Sequence, residues 1–432
     1  MRYYSTRNRN EPYGFASAVV RGLAPDGGLF VPEEIPHFRP SAAASLDKMT
    51  FQDIAYETIR PFVTDEIPDA VLTGIVESAF TFDAPLKPVG SRFMLELFHG
   101  PTAAFKDFGA RFMARAFAYF RRNESRPLKI LVATSGDTGG AVAGGFYQVE
   151  GISVTVLYPK GRVTPLQERQ IAGLGGNIDA IAVEGSFDDC QRLVKTALGD
   201  TELNKQLSLS SANSINIARL VPQAVYYAAA AGALKSRRAA APFVFCVPSG
   251  NLGNLTAGIY ASKMGAPIDL FIAASNDNKT FPEYLAGENY TPRDSIATIS
   301  NAMDVGAPSN FERLSSHWSA DELRRMILGA SINDDDTKAA IETVYRQYDY
   351  ILDPHSAVGW QAVTRLCEKG VLKDGGGAYT VLSTAHPAKF AHVVEPLTGA
   401  VKPPPCLEEA MKKTAHSITI PAEYGAFKAV LR

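Results

Sequence analysis

The stretch FVFCVPSGNLGNLTAG, residues 243–258, joins a short apolar run to a glycine-containing turn and then to a helical pattern. The run FVFCV does not alternate between apolar and polar residues, which is typical of a parallel strand covered on both faces. Gly250 and Gly253 bracket Asn251 in the turn, where the absence of side chains lets a ligand approach the backbone. A strand followed by such a turn and a helix is typical of α/β folds that bind anions.

Five other short apolar runs repeat this pattern along the chain. They are KILVAT 129–134, ISVTVLY 152–158, IDAIAV 178–183, IDLFIAA 268–274 and YTVLS 379–383. Amphipathic or alanine-rich stretches separate most of them, so strands alternate with helices. The sequence therefore predicts an α/β fold built on parallel sheets.

Composition excludes several classes of partner. The 432 residues include 43 basic and 45 acidic side chains, with a net charge of -2, so neither nucleic acid nor an anionic membrane is expected as the main partner. The 4 cysteines form no CxxC pair, which predicts no zinc site and no disulfide framework. No apolar run reaches the roughly 18 residues of a membrane span. We expect a cytoplasmic protein that binds a small molecule and no metal.

Two further strand exits carry polar residues suited to anions. Ser135 and Thr138 lie in the turn SGDTGG after the run KILVAT, where they suit a carboxylate. Asn213, Ser214 and Arg219 lie in SANSINIARL, where an amide, a hydroxyl and a guanidinium suit a second anion. Ordinary capped helices fit both patterns as well. The turn with Gly250 and Gly253 is neither a Walker A loop nor a GxGxxG motif, which disfavours a nucleotide site.

Lys106 lies in HGPTAAFKDFGARF, residues 99–112, among phenylalanines and small residues. On a helix predicted to begin near Ala103, the residues three, four and seven positions later are small or apolar. Such surroundings desolvate the amine and lower its pKa from the ordinary value of about 10.4. More of the neutral amine is then present to attack an aldehyde. The same pattern also fits a snorkelling lysine on an amphipathic helix, with its ammonium group in solvent and paired with Asp107.

Taken together, these segments resemble the fold type II family of pyridoxal-phosphate enzymes, and within it the threonine synthases. The similarity is carried by long blocks in the family's order: YYSTRN, GGLFVP, ELFHGPTAAFKDFGARFM, SGDTGGAVA, SANSINIARLVPQ, VPSGNLGNLTAG, SNAMDVGAPSN and TAHPAKF. The resemblance implies a fold like that of the tryptophan synthase β-subunit, with two open, parallel-rich α/β domains and an additional N-terminal domain. It implies an N-terminal domain 1–95, a large cofactor domain 96–120 and 215–400, a small domain 121–214 and a C-terminal segment 401–432, in a monomer or a homodimer.

The resemblance also implies the roles of individual residues. Lys106 would hold pyridoxal 5′-phosphate as a Schiff base, and Thr384 would face the pyridine nitrogen. Substrate carboxylate would lie at Ser135 and Thr138, and substrate phosphate at Asn213, Ser214 and Arg219. The cofactor phosphate would be cradled by Gly250, Asn251, Leu252, Gly253 and Asn254.

The implied reaction converts O-phospho-L-homoserine and water to L-threonine and inorganic phosphate. A dehydratase or a β-replacement enzyme of the same fold type, and a non-catalytic homologue, stay open as alternatives. Many fold type II relatives carry asparagine where this chain has Asp137, whereas longer threonine synthases resemble it in having SGDTG; we assign Asp137 no contact. His99, His355 and His386 are interpreted as structural, because each lies at a turn or helix start.

Overall fold

All six apolar runs form strands in the computed structural model, which describes residues 1–431. The thirteen strands of that range are β1 Tyr3–Ser5, β2 Phe30–Pro32, β3 Leu86–Val89, β4 Arg92–Glu96, β5 Leu128–Ala133, β6 Ile152–Pro159, β7 Ile178–Glu184, β8 Leu209–Ser211, β9 Phe243–Pro248, β10 Leu270–Ser275, β11 Ile327–Ser331, β12 Ala378–Ser383 and β13 Ile418–Pro421. The six predicted runs correspond to β5, β6, β7, β9, β10 and β12.

Twenty α-helices connect and cover these strands within residues 1–431. They are α1 Phe15–Arg21, α2 Pro40–Ser45, α3 Phe51–Val63, α4 Asp69–Ala79, α5 Lys106–Arg121, α6 Asp137–Phe146, α7 Pro165–Ala172, α8 Phe187–Gly199, α9 Thr201–Leu207, α10 Ile217–Leu220, α11 Ala224–Ser236, α12 Gly253–Met264, α13 Thr280–Leu285, α14 Phe311–His317, α15 Ala320–Met326, α16 Asp334–Tyr348, α17 Pro354–Glu368, α18 Ala391–Thr398, α19 Pro405–Met411 and α20 Tyr424–Leu431. In this range, no helix is both long enough and apolar enough to cross a membrane.

The strands form two large sheets and one small ribbon. The six-stranded sheet has the order β11-β10-β9-β12-β4-β3, and its pairs are parallel except β3 with β4. The five-stranded sheet has the order β13-β7-β6-β5-β8 and is parallel throughout. Strands β1 and β2 pair antiparallel as the ribbon. The predicted α/β class with parallel sheets is confirmed.

Both faces of the sheets are buried, as the unbroken apolar runs predict. In β9, Phe243, Phe245 and Val247 pack into the core shared by the inner faces of the two large sheets. Val244 and Cys246 point the other way, into a core that α16 and α17 complete. Because successive side chains of a strand alternate in direction, a strand with two buried faces needs apolar residues at every position.

The sheet register brings the predicted site segments to common edges. In the five-stranded sheet, Leu131 pairs with Ser211, so the turns after β5 and β8 leave neighbouring strands at the same edge. In the six-stranded sheet, the turns after β9, β12 and β4 likewise share the carboxyl edge. Ligands of open parallel sheets bind at such edges.

The predicted division into four segments stays a prediction, and some elements cross its boundaries. Strands β3 and β4 belong to the six-stranded sheet, although residues 86–95 were placed in the N-terminal domain. Strand β13, from the segment 401–432, pairs with β7 and extends the five-stranded sheet. The chain therefore returns at its C-terminal end to the sheet built from residues 128–211.

Candidate active site

A cavity of about 520 Å³ lies at the carboxyl edges of the two large sheets. Its volume is in the range of small-molecule sites. All twelve residues that the sequence singled out as site candidates line it: Lys106, Ser135, Thr138, Asn213, Ser214, Arg219, Gly250, Asn251, Leu252, Gly253, Asn254 and Thr384. Residues from five separate segments of the chain thus meet in one place.

Lys106 is the first residue of α5, so the prediction that this helix begins near Ala103 was wrong by three residues. Ala103 has a left-handed backbone with φ of 52°, which cannot continue a helix. The residues that follow contact the segment after β12: the Phe105 amide donates a hydrogen bond to the Thr384 carbonyl at 2.9 Å. Tertiary contacts outside the local pattern therefore set the helix start.

The Lys106 amine is desolvated, as predicted. The side chain lies deep in the protein, and the part of its surface that stays exposed faces the cavity. Its nitrogen lies 5.0 Å from the centre of the Phe105 ring, and no carboxylate of residues 1–431 lies within 4.0 Å of it. Desolvation lowers the pKa of this amine to about 8.

The turn after β9 presents an uncapped helix N-terminus to the cavity. Helix α12 begins at Gly253, and no side chain caps its first amides. Leu252, just before it, adopts a left-handed backbone with φ of 60°, a conformation unusual for leucine. Free amides and the positive end of the helix dipole suit a phosphate. A Cβ on Gly250 would lie 3.0 Å from the Ala302 carbonyl, so a larger residue would force the neighbouring backbone to shift.

The two asparagines of this turn are held by the rest of the chain. The Asn251 amide donates to the Ser214 hydroxyl at 2.6 Å, which ties the turn after β9 to the segment after β8. The Asn254 side-chain oxygen accepts hydrogen bonds from Tyr226 and Tyr227 at 2.6 and 2.7 Å. Its amide nitrogen is buried without any protein partner in residues 1–431. A buried donor of this kind requires an acceptor outside the protein, from a ligand or an ordered water.

The turn between β5 and α6 leaves two hydroxyls free. Gly136 has φ of 144°, and a Cβ there would lie 2.5 Å from the Gln167 side chain, so the turn requires glycine. Thr134 fixes the turn by accepting from the Gly136 and Gly139 amides. Across the described chain, the Ser135 and Thr138 hydroxyls have no protein partner, and both line the cavity. They are available to an anionic group.

Arg219 is a buried cation without a carboxylate partner. Its side chain is 2% exposed, and its Nη1 donates to the Ala212 carbonyl at 2.6 Å. Its Nε has no partner in the described range, and no carboxylate there lies within 4.0 Å of the guanidinium. Gly109 of α5 has no side chain, which lets Arg219 pack directly against the helix of Lys106. Burial lowers the pKa of Arg219 to about 10, so the group is charged at neutral pH.

The histidines of the region make contacts within the protein. His355 lines the cavity, but its Nδ1 pairs with Asp353 at 2.7 Å and its Nε2 accepts from the Ala302 amide at 3.3 Å. His386 accepts from the Ala388 amide, and desolvation lowers its pKa to about 4. His99 pairs with Glu96 at 2.8 Å. These contacts agree with the structural roles expected for all three.

The chain is similar to known protein families over nearly its whole length. Three family models match the chain: "Threonine synthase N terminus" over residues 2–80, "Pyridoxal-phosphate dependent enzyme" over 85–384 and "Threonine synthase, C-terminal" over 356–431. The threonine synthase of Escherichia coli (strain K12) is 40% identical over 433 residues, covering 100% of this chain and 99% of that protein. The chain belongs to the threonine synthase family.

Solved structures of the family agree with this assignment. The crystal structure of threonine synthase from Escherichia coli matches with a TM-score of 0.90 and 39% identity, covering 100% of this chain and 99% of that one. A PLP-bound threonine synthase from Brucella melitensis matches with a TM-score of 0.91 and 35% identity, covering 100% and 98%. The fold type II assignment is confirmed.

The site fits the cofactor for which the pyridoxal-phosphate family model is named. Lys106 offers a partly neutral amine, the uncapped start of α12 offers free amides for a phosphate, and the Asn254 amide nitrogen lacks an acceptor. The roles of the individual site residues stay predictions.

One buried ion pair beside the candidate site is not predicted by the sequence analysis. Lys389, in the block TAHPAKF, was given no role, and Asp137 was given no contact. The structure pairs the Lys389 amine with the Asp137 carboxylate at 2.7 Å, with both side chains buried. A lysine flanked by apolar residues after a buried strand was the available signal, but its partner lies 252 positions earlier in the sequence.

Proposed function

We propose that this protein converts O-phospho-L-homoserine and water to L-threonine and inorganic phosphate. The observation that carries the proposal is Arg219, a buried and charged side chain that has no carboxylate partner among residues 1–431 and lines the same cavity as Lys106. A buried cation is costly unless an anion compensates it. A substrate phosphate supplies that anion, whereas the substrates of serine or threonine dehydratases carry none.

Lys106 has two tasks in this proposal. Its amine attaches pyridoxal 5′-phosphate, which when bound supplies an electron-withdrawing ring that makes the Cα and Cβ protons of the substrate acidic. Once released, the Lys106 Nζ is the base that takes the Cα proton. A pKa of about 8 leaves part of this amine neutral at physiological pH, so it can accept the proton.

Two sets of side chains orient the substrate. The free hydroxyls of Ser135 and Thr138 hold the α-carboxylate in the turn before α6. Asn213, Ser214 and Arg219 hold the phosphate on Cγ. With both ends fixed, the substrate carbons lie between the two sheets, and the leaving phosphate stays within hydrogen-bonding reach of its donors.

The remaining candidates hold the cofactor. Gly250, Asn251, Leu252, Gly253 and Asn254 surround the start of α12, where the cofactor phosphate would lie. Thr384 would face the pyridine nitrogen with a hydroxyl. A hydroxyl does not hold that nitrogen protonated as an aspartate would.

The proposal is tested by incubating the protein, supplied with pyridoxal phosphate, with O-phospho-L-homoserine and quantifying threonine and phosphate together. We expect equal amounts of both products, and none from Lys106→Ala. Lys160→Ala is the matched control, since Lys160 is exposed, pairs with Glu184 and does not line the cavity.

Other products would contradict the proposal. Phosphate with 2-oxobutyrate and no threonine would identify an eliminating enzyme of the same fold. An Arg219→Ala enzyme with unchanged rate and substrate affinity would show that the phosphate is not bound at Arg219.

A further inference from the structure

Lys389 joins three segments behind the candidate site. It lies on the short 3-10 turn Pro387–Phe390 that follows β12 and the Thr384 segment. Its side chain is fully buried, and its amine pairs with the Asp137 carboxylate at 2.7 Å and donates to the Thr102 carbonyl at 2.9 Å. Thr102 belongs to the turn that precedes Lys106. One ammonium group therefore contacts the segments on either side of the cavity.

Asp137 is the other half of this pair and lines the same cavity as Lys106. It is the first residue of α6, where the helix dipole favours a negative charge. The Gln167 amide donates to the same carboxylate oxygen at 3.0 Å. Lys389 and Lys106 hold the pKa of Asp137 well below its ordinary range, so the carboxylate is ionised despite its burial. An isolated buried anion at this position would favour the protonated form of Lys106.

We propose that Lys389 is a positioning residue that compensates the charge of Asp137 and thereby keeps the Lys106 amine from being held as an ammonium ion. Because its amine also contacts the Thr102 carbonyl, it fixes the turn before Lys106 against the turn that carries Ser135 and Thr138. The inference goes beyond the proposed function but rests on one part of it, the attachment of pyridoxal phosphate to Lys106.

The charged groups around Lys106 determine how substitution of Lys389 changes the protonation of the Lys106 amine. Asp137 and Asp353 favour the protonated form of Lys106, whereas Lys389 and Arg219 oppose it. Removal of the Lys389 charge leaves two carboxylates against one cation. The protonated form of Lys106 is then favoured. Substitution of Lys389 is therefore expected to raise the pH at which the Lys106 nitrogen loses its proton.

The first measurement is the pH titration of the visible absorption band of the lysine-bound cofactor in the holoenzyme, which reports protonation of the bonded Lys106 nitrogen in the field of the same surrounding charges. We expect Lys389→Met to raise the midpoint by on the order of one pH unit, because removing a like charge from the surroundings of Lys106 favours its protonated form. We expect Asp137→Asn to lower the midpoint, because Lys389 then has no counter-charge. The double variant Asp137→Asn with Lys389→Met is expected close to wild type. Lys338→Met, at an exposed pair with Asp335, is the matched control.

The second measurement is thermal unfolding of the same variants without cofactor. Each single variant leaves one buried charge unpaired, so each is expected to lower the midpoint temperature, and the double variant to lower it by less than their sum. A structural packing role for Lys389 would instead give additive losses and would not return the spectral midpoint in the double variant.

The inference would be overturned by a spectral midpoint of Lys389→Met equal to that of wild type, together with additive unfolding losses. A different result marks failure of the proposed function: wild-type protein that develops no visible band and no reducible bond at Lys106. In that case the inference falls with it.

Discussion

Replacing Arg219 by methionine is expected to leave the protein without cofactor as stable as wild type or more stable. Burial lowers the pKa of this guanidinium from 12.5 to about 10. That change corresponds to about 3 kcal/mol of unfavourable burial of the charged form, because one pKa unit is about 1.4 kcal/mol. Within residues 1–431 the side chain makes one hydrogen bond, from Nη1 to the Ala212 carbonyl, which returns about 1.5–3 kcal/mol. The two contributions nearly cancel, so loss of the side chain costs little.

Arg313 provides a matched comparison for this prediction. It is equally buried, and burial likewise lowers its pKa to about 10. In contrast to Arg219, it donates to the Phe30 and Ile215 carbonyls and to Asn310. Arg313→Met leaves these acceptors unpaired, at about 1–3 kcal/mol for each buried group. We therefore expect Arg313→Met to destabilise the protein strongly.

The assay is urea unfolding of the three proteins at pH 7 without cofactor, followed by the same measurement with added inorganic phosphate. Phosphate is expected to stabilise the wild type more than Arg219→Met, because the variant keeps only the start of α12 as a site for a phosphate. A loss of stability in Arg219→Met as large as that in Arg313→Met would refute the reasoning. In that case the Arg219 side chain would be a structural element like Arg313, and no anion would be needed to compensate it.

Three other measurements test the site and its surroundings. Without cofactor, the contribution of Lys106 to stability should rise as the pH increases from about 8 to its ordinary pKa of 10.5, since the folded protein favours the neutral amine, and Lys106→Met should abolish that rise in unfolding titrations. Gly136→Ala should destabilise the protein by more than Gly151→Ala, by about 1 kcal/mol or more, because Gly136 has φ of 144° and its Cβ would meet the Gln167 side chain, whereas Gly151 has φ of 71° and open space; equal losses in urea unfolding would contradict this. Burial raises the pKa of Asp304 to about 6. The free energy of unfolding should therefore increase as the pH falls through 6, because the folded protein favours the protonated carboxyl, and Asp304→Asn should remove that dependence.

Several features of the site could be predicted because they depend on local pattern. The six apolar runs predicted six parallel strands, since burial on both faces demands apolar residues at successive positions. Glycines and small polar residues after β5, β8 and β9 marked the turns that meet at the cavity, because ligands of parallel sheets lie at their carboxyl edges. The lysine among aromatic residues indicated a desolvated amine, and its pKa of about 8 agrees.

Other features depended on contacts between distant segments. Helix α5 begins at Lys106 and not near Ala103, because the Phe105 amide donates a hydrogen bond to the carbonyl of Thr384, which is distant in the sequence. The pairing of Asp137 with Lys389 has the same origin, since an ion pair between residues 252 positions apart leaves no trace in local periodicity.

The sequence by itself determined which segments become strands, which turns can receive an anion and which lysine is desolvated, because these follow from neighbouring residues and their hydrophobic period. Only the tertiary structure decided where α5 begins, which charged groups surround Lys106 and that Arg219 has no carboxylate partner among residues 1–431. Those properties arise from burial and from charges at short distance in space, and they exist only after the two sheets have packed together.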